Sequence, residues 1–327
     1  MARTRSVAVA VLLALAIAAC GDASKGDRAT PGRLRVATTV APVTDIVRQV
    51  VGDRVDVVGL VPEGMDSHTF EPSPSTVRSL AGADVFFLNG LGLEESTLAQ
   101  ARAAMPTGAP IVALGDLVLA PPNYAFDFAF PEEGGDPNPH VWMDPTVARR
   151  WSEIVRDTMS GLDPGGAPFY GANQARFAAV VDELDRAIGA SVATIPPPAR
   201  KLVTYHDSLA YFSRRYGLPV IGAVQPSDFS EPSPREVQAL VEQVRAEKVP
   251  AVFGSEVFPS DVAEQVARQS GARFVADLRD DRLPGRPGDP EHTYAGMLAH
   301  DAAVITEALG GDPTPVRSLP TLSSWSR

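Results

Sequence analysis

The chain has 327 residues, 44% of them hydrophobic, and its 29 basic and 40 acidic side chains give a net charge of −11. Such an acid surplus excludes nucleic acid as a partner, and the single cysteine excludes an internal disulfide. About 295 residues beyond an N-terminal leader and tether exceed what one compact core takes, so two lobes are expected.

Arg3 and Arg5 precede an uncharged run from Val7 to Ala19. That run falls short of the roughly 20 apolar residues that span a bilayer. A basic start, a short apolar core and small residues before a cleavage point describe a secretory leader. The junction Ile17-Ala18-Ala19-Cys20-Gly21 resembles a bacterial lipobox, which implies that Cys20 is acylated and becomes the mature N-terminus. Losing Arg3 and Arg5 with the leader takes the formal charge to about −13. The polar stretch Gly21 to Gly32 reads as a flexible tether. The expected location is therefore extracytoplasmic, held to the cell membrane by lipid.

Buried-strand patterns then alternate with amphipathic helices. Leu34 to Thr39 precedes a helical pattern through Ile46, Val47 and Val50, and Ala83 to Leu88 follows another helix. In the second half, Lys201 to Tyr205, Val249 to Phe253 and Arg273 to Ala276 read as strands, with a helix from about Ser260 to Ser270 closed by Gly271. Alternation of this kind predicts parallel sheets with helices on both faces. The halves also resemble each other. Glu71 to Leu80 and Glu231 to Leu240 share six of ten residues, each with serine at a helix N-cap and proline at the first helical position. Between them, Phe169, Ala172, Phe177, Val180, Val181, Leu184, Ile188 and Val192 recur at helical spacing, and Ile195-Pro196-Pro197-Pro198 stops the pattern. The organisation expected is a leader (1–19), a tether (20–32), a first α/β lobe (33–165), one long connecting helix (166–195) and a second α/β lobe (196–327).

Histidine is scarce, with five in the chain. His68, His140 and His206 all fall in strand-to-helix turns, which cluster at the carboxyl edge of an open α/β sheet where ligands bind. Three imidazoles at one edge suit Zn²⁺, Mn²⁺ or a neighbouring ion. His292 and His300 read as ordinary helix positions. A fourth ligand is expected from the second lobe's last strand. Asp277 closes that strand, Asp280 and Asp281 compete with it, and Glu256 could ligate or orient a histidine. The stretch Ala120 to Pro139 carries Asp127, Glu132, Glu133 and Asp136 with no regular period. It reads as a mobile loop that helps to capture metal without ligating it.

The segments SHTFEPSPSTV, NPHVWMDP, VTYHDSLAYF and ADLRDDRLPG, in that order after a lipobox, resemble the zinc- and manganese-binding lipoproteins of ABC importers, the cluster A-I solute-binding proteins. The resemblance covers essentially the whole mature chain. It implies two Rossmann-like lobes joined by one long helix, with His68, His140, His206 and Asp277 as the four metal ligands. It further implies delivery of the ion to an integral-membrane permease driven by a cytoplasmic ATPase; the chain itself is expected to be a monomer. A three-histidine set favours Zn²⁺, with Mn²⁺ as the alternative. Many zinc members carry a histidine-rich loop before the second ligand, and this chain has none there. A receptor for a siderophore or haem would need arginines or aromatics in place of the histidines. A zinc hydrolase would keep an open coordination position, and an adhesin would show repeats or a stalk.

Overall fold

Short β-branched and aromatic runs build two separate sheets in the computed structural model, which describes residues 32–225, 230–255, 257 and 261–320. In the first half β1 (Arg35–Thr38), α1 (Ala41–Val51), β2 (Asp56–Gly59), α2 (Pro74–Ala81), β3 (Val85–Leu88), α3 (Glu95–Ala104), β4 (Ile111–Ala113) and α4 (Leu114–Val118) follow one another. The strands pair in the order β2-β1-β3-β4, all parallel. Two long helices come next, α5 (Pro145–Leu162) and α6 (Ala167–Val192). The second half repeats the alternation with β5 (Leu202–Thr204), α7 (Ala210–Tyr216), β6 (Val220–Ala223), α8 (Pro234–Ala246), β7 (Ala251–Ser255), α9 (Asp261–Ser270) and β8 (Arg273–Leu278). Its order is β6-β5-β7-β8, again parallel, and α10 (Tyr294–Ala308) and α11 (Thr314–Arg317) end the described chain.

The two sheets thus share one topology, and the repeated sequence sits at the same place in each. Both copies start the helix that follows the second strand of the sheet. Ser73 accepts from the Thr76 amide at the start of α2. Ser233 does the same for Glu236 at the start of α8, and the Glu236 side chain returns the bond in a capping box. Related topology accounts for the matched residues better than convergence on good caps.

The connecting helix α6 is no isolated rod. Phe177, Val181, Leu184 and Ile188 form one buried stripe that packs on α5, α1 and α10. Each such side chain contributes roughly 1.5–3 kcal/mol when fully buried. The stripe belongs to one apolar cluster running from Val36 and Ile46 through Trp151 to Phe212 and Leu298. Core is therefore continuous across both lobes, which opposes wide hinge travel. None of the described helices is long and apolar enough to cross a membrane. Cys20, the acylation expectation, lies outside the described residues.

Candidate metal centre

Both sheets reverse strand order beside their first strand, and such switch points open crevices at the carboxyl ends of strands. His206 stands two residues beyond β5 at the switch point of the second sheet, with α7 starting four residues later. His68 lies in the loop from β2 to α2. His140 ends the long loop after α4, and a 3-10 turn (Val141–Met143) separates it from α5, whose N-cap is Asp144.

These elements bring the three imidazoles together. The Nε2 atom of His140 lies 3.1 Å from that of His68 and 2.9 Å from that of His206. His140 is fully buried, His206 nearly so, and His68 is partly open to solvent. Their ligand atoms form a group that could hold a metal ion. Two nitrogens each ~2.0–2.1 Å from one tetrahedral zinc would stand about 3.3–3.4 Å apart, close to the spacing seen.

The outer ring nitrogens decide which atoms face inward. His140 Nδ1 lies 2.8 Å from Asn138 Oδ1, and that oxygen also accepts from the His140 amide at 2.9 Å, which fixes it as oxygen. His206 Nδ1 lies 2.8 Å from Gln225 Oε1. An amide oxygen can only accept, so both rings carry their proton on Nδ1 and turn an Nε2 lone pair toward the centre. Burial pushes the pKa of His68 and His140 well below the usual histidine range, and the neighbouring imidazoles add to the effect. Converging neutral lone pairs are mutually repulsive, and a shared cation relieves that repulsion.

Asp277 is not brought to this group. β8 extends through Leu278, so Asp277 lies within the strand. Its carboxylate is about half exposed and pairs with Arg279 at 3.0 Å and His300 at 3.1 Å. The turn after the strand buries Asp280 and Asp281 almost fully, although the group of converging ligand atoms consists of the three histidines alone among the described residues. Asp281 Oδ2 accepts from Ser67 Oγ at 2.6 Å, one residue from His68, and its Oδ1 is buried without a hydrogen-bond partner among the described residues. Burial and the adjacent Asp280 push the Asp281 carboxyl well above its usual range, against the pull of the Ser67 bond. Glu256 lies outside the described residues. His292 precedes α10 and pairs with Glu63 at 3.2 Å, so it is not a helix position; His300 is helical and holds Asp277.

The acidic stretch before His140 behaves as a strap across the two lobes. Arg214 donates to the carbonyls of Asn123 and Tyr124 at 2.7 and 2.9 Å, and Tyr211 Oη accepts from the Ala125 amide at 3.2 Å. Asn138 Nδ2 donates to the Asp207 carbonyl at 2.6 Å and to Asp127 at 2.9 Å. Burial, with Asp207 beside it, pushes the Asp127 carboxyl up to about 9. Phe130, on the same strap, covers His68 and His140 with ring centres 5.7 and 5.9 Å away. Glu132, Glu133 and Asp136 remain exposed, and Asp136 lines a cavity of about 350 Å³ that reaches His68. Asn138, Gln225, Ser67 and Phe130 carry no signal of their own in the sequence, although Asn138 and Ser67 lie within two residues of His140 and His68.

Residues 36–308 match the family described as zinc-uptake complex component A, periplasmic. The chain belongs to that family. Among its relatives is the manganese-binding lipoprotein MntA of Halalkalibacterium halodurans, 28% identical over 301 residues that span 92% of this chain and 97% of the relative. The periplasmic zinc-binding protein TroA of Treponema pallidum superposes with a TM-score of 0.76 at 27% identity, over 85% of this chain and 99% of its own. A cadmium-bound periplasmic metal-binding protein of Candidatus Liberibacter asiaticus gives 0.74 at 25% identity, over 85% and 100%. Membership of the zinc-uptake family accords with the fold as described, two parallel-sheet lobes packed on one long helix.

Proposed function

We propose that this protein is the substrate-binding component of a metal ABC importer and carries one divalent ion between its lobes. The observation that carries the reading is the convergence of His68, His140 and His206 through their Nε2 atoms. Asp281 completes the shell as the fourth ligand in place of Asp277, because its buried Oδ1 has no hydrogen-bond partner among the described residues and its turn lies against Ser67. Three imidazoles and one carboxylate suit Zn²⁺ before Mn²⁺. Four protein ligands leave no open position for a reacting water, which fits carriage and not hydrolysis. A cluster this tight fits a bare ion and not a siderophore or haem. The relatives' names as lipoproteins and uptake components support delivery to a membrane permease from the extracytoplasmic side.

Calorimetric titration of zinc and of manganese into the chelator-stripped chain, with elemental analysis, tests the reading. One ion per chain with zinc the tighter is expected, and absence of stoichiometric binding would overturn it. The anchor is tested separately. Cys20→Ser is expected to move the protein from the membrane fraction to the soluble extracytoplasmic fraction, or to leave an unprocessed precursor. A mature wild-type chain that carries no lipid at Cys20 would refute the anchor and leave the metal site untouched.

A further inference from the structure

The turn that carries Asp281 belongs to the second lobe, whereas His140 belongs to the first, so something must set the distance between them. Trp142, two residues after His140, spans that gap. Its indole is fully buried, and Nε1–H donates to the Asp280 carbonyl at 3.0 Å. Its own carbonyl accepts from Tyr294 Oη at 2.7 Å, and the Tyr294 amide donates to Asp45 Oδ2 on α1 at 2.8 Å. The indole ring also stands edge-on to His140, with centres 5.2 Å apart. On its far side the turn is held by Asp301 of α10, which accepts from the Arg279 amide at 3.0 Å. Trp142 thus touches the His140 ring, the backbone of the acidic turn and, through Tyr294, the first-lobe helix α1.

We infer that Trp142 is a positioning residue for metal binding: a rigid strut that fixes the Asp280–Asp281 turn of the second lobe against the His140 turn of the first. This inference rests on the reading of the site given above, with Asp281 as a ligand. An indole suits the task because its N–H is a donor only and its ring has two rotatable bonds, so the strut has one fixed length. Removing the N–H leaves the three histidines in place and lets the carboxylate arm drift. Partners that orient a ligand without touching the ion typically change metal affinity about 10–100-fold.

The test is a double-mutant cycle of Trp142→Phe and Asp281→Asn, read as the zinc dissociation constant by competition with a chromogenic chelator. Trp142→Phe alone is expected to weaken zinc binding about 10-fold or more. Added to Asp281→Asn it is expected to do almost nothing, because the arm it aligns no longer ligates. A strut that only supported the fold would act equally in both backgrounds. Equal effects in the two backgrounds, or none in either, would overturn the inference. If Trp142→Phe does not fold by circular dichroism, Tyr294→Phe replaces it in the cycle. That variant keeps the indole and removes only the hydroxyl behind it, with a smaller effect expected in the same direction. The wild-type titration separates the two readings. A wild type that binds no zinc defeats the proposed function, whereas a wild type that binds zinc beside an unaltered cycle defeats the strut alone.

Discussion

His140→Ala is expected to weaken zinc binding by far more than a hundredfold, since changes at groups that merely orient a ligand already cost about 10–100-fold. His140 is the central member of the trio, because its Nε2 lies within 3.1 Å of both other imidazole nitrogens. Removing it opens the coordination shell on the buried side, where the Trp142 and Phe130 rings offer no lone pair to a metal. It also takes from Asn138 Oδ1 the ring N–H it accepts from, and leaves that oxygen the backbone amide alone. His206→Ala is expected to act alike. Asp281→Ala is expected to lower affinity strongly, whereas Asp277→Ala leaves it within about twofold. Asp277 is a half-exposed partner of Arg279 and His300, and exposed ion pairs contribute about 0–1 kcal/mol. His300→Ala and His292→Ala are expected to leave zinc affinity unchanged. The measurement is competition titration of each variant. Zinc affinity lost in Asp277→Ala and kept in Asp281→Ala would reverse the assignment of the fourth ligand.

The contrast between those two aspartates shows where sequence stops specifying a site. Alternating strands and helices are legible because hydrophobic period and capping residues are local properties. Ser73, Ser233 and Asp144 cap their helices with their own neighbours. The long helix is legible for the same reason, since Phe177, Val181, Leu184 and Ile188 repeat at helical spacing whatever they pack against. The three histidines are legible from position, because turns after parallel strands gather at one edge. The end of β8 is different. Its pairing with β7 shifts register between Phe253 and Ser255, so the strand runs to Leu278 and the inward turn begins later than the apolar run Arg273 to Ala276 implies. The acidic strap misleads for a related reason. Asp127 reads as part of a mobile capture loop until Arg214, Tyr211 and Asp207, more than 75 residues away in sequence, are folded against that loop. Contacts at that separation leave no periodic signature. His292 shares the helical spacing of His300 yet stands two residues before α10, because Thr293, the N-cap, follows it.

Zinc binding is expected to expel a proton from Asp281 at any pH below its raised folded pKa, and none from His68 or His140 at neutral pH. Burial depresses both imidazole pKa values, so these two rings are neutral in the folded protein well below pH 6.5. The unfolded chain protonates them near pH 6.5 and therefore binds more protons through the window beneath it. Stability of the chelator-stripped protein from these groups is present above that value and is lost as pH falls toward their folded pKa. Asp281 has the opposite sign. Its folded pKa is raised, so its contribution is fully present below about pH 4 and is lost as pH rises through the folded value. Ligation needs the carboxylate, so the ion displaces that proton wherever the folded Asp281 still holds it. Calorimetry in buffers of different ionisation enthalpy is expected to find release of up to about one proton per zinc, fading as pH rises through the folded Asp281 value. Asp281→Asn is expected to remove that release while leaving a weaker, three-histidine site. Heating scans give the companion effect, about 4 kcal/mol of stabilisation at a thousandfold excess of zinc over Kd. Proton release that survives in Asp281→Asn and follows a midpoint near 6.5 would assign the competing proton to a histidine, and the buried carboxylate would lose its place in the shell.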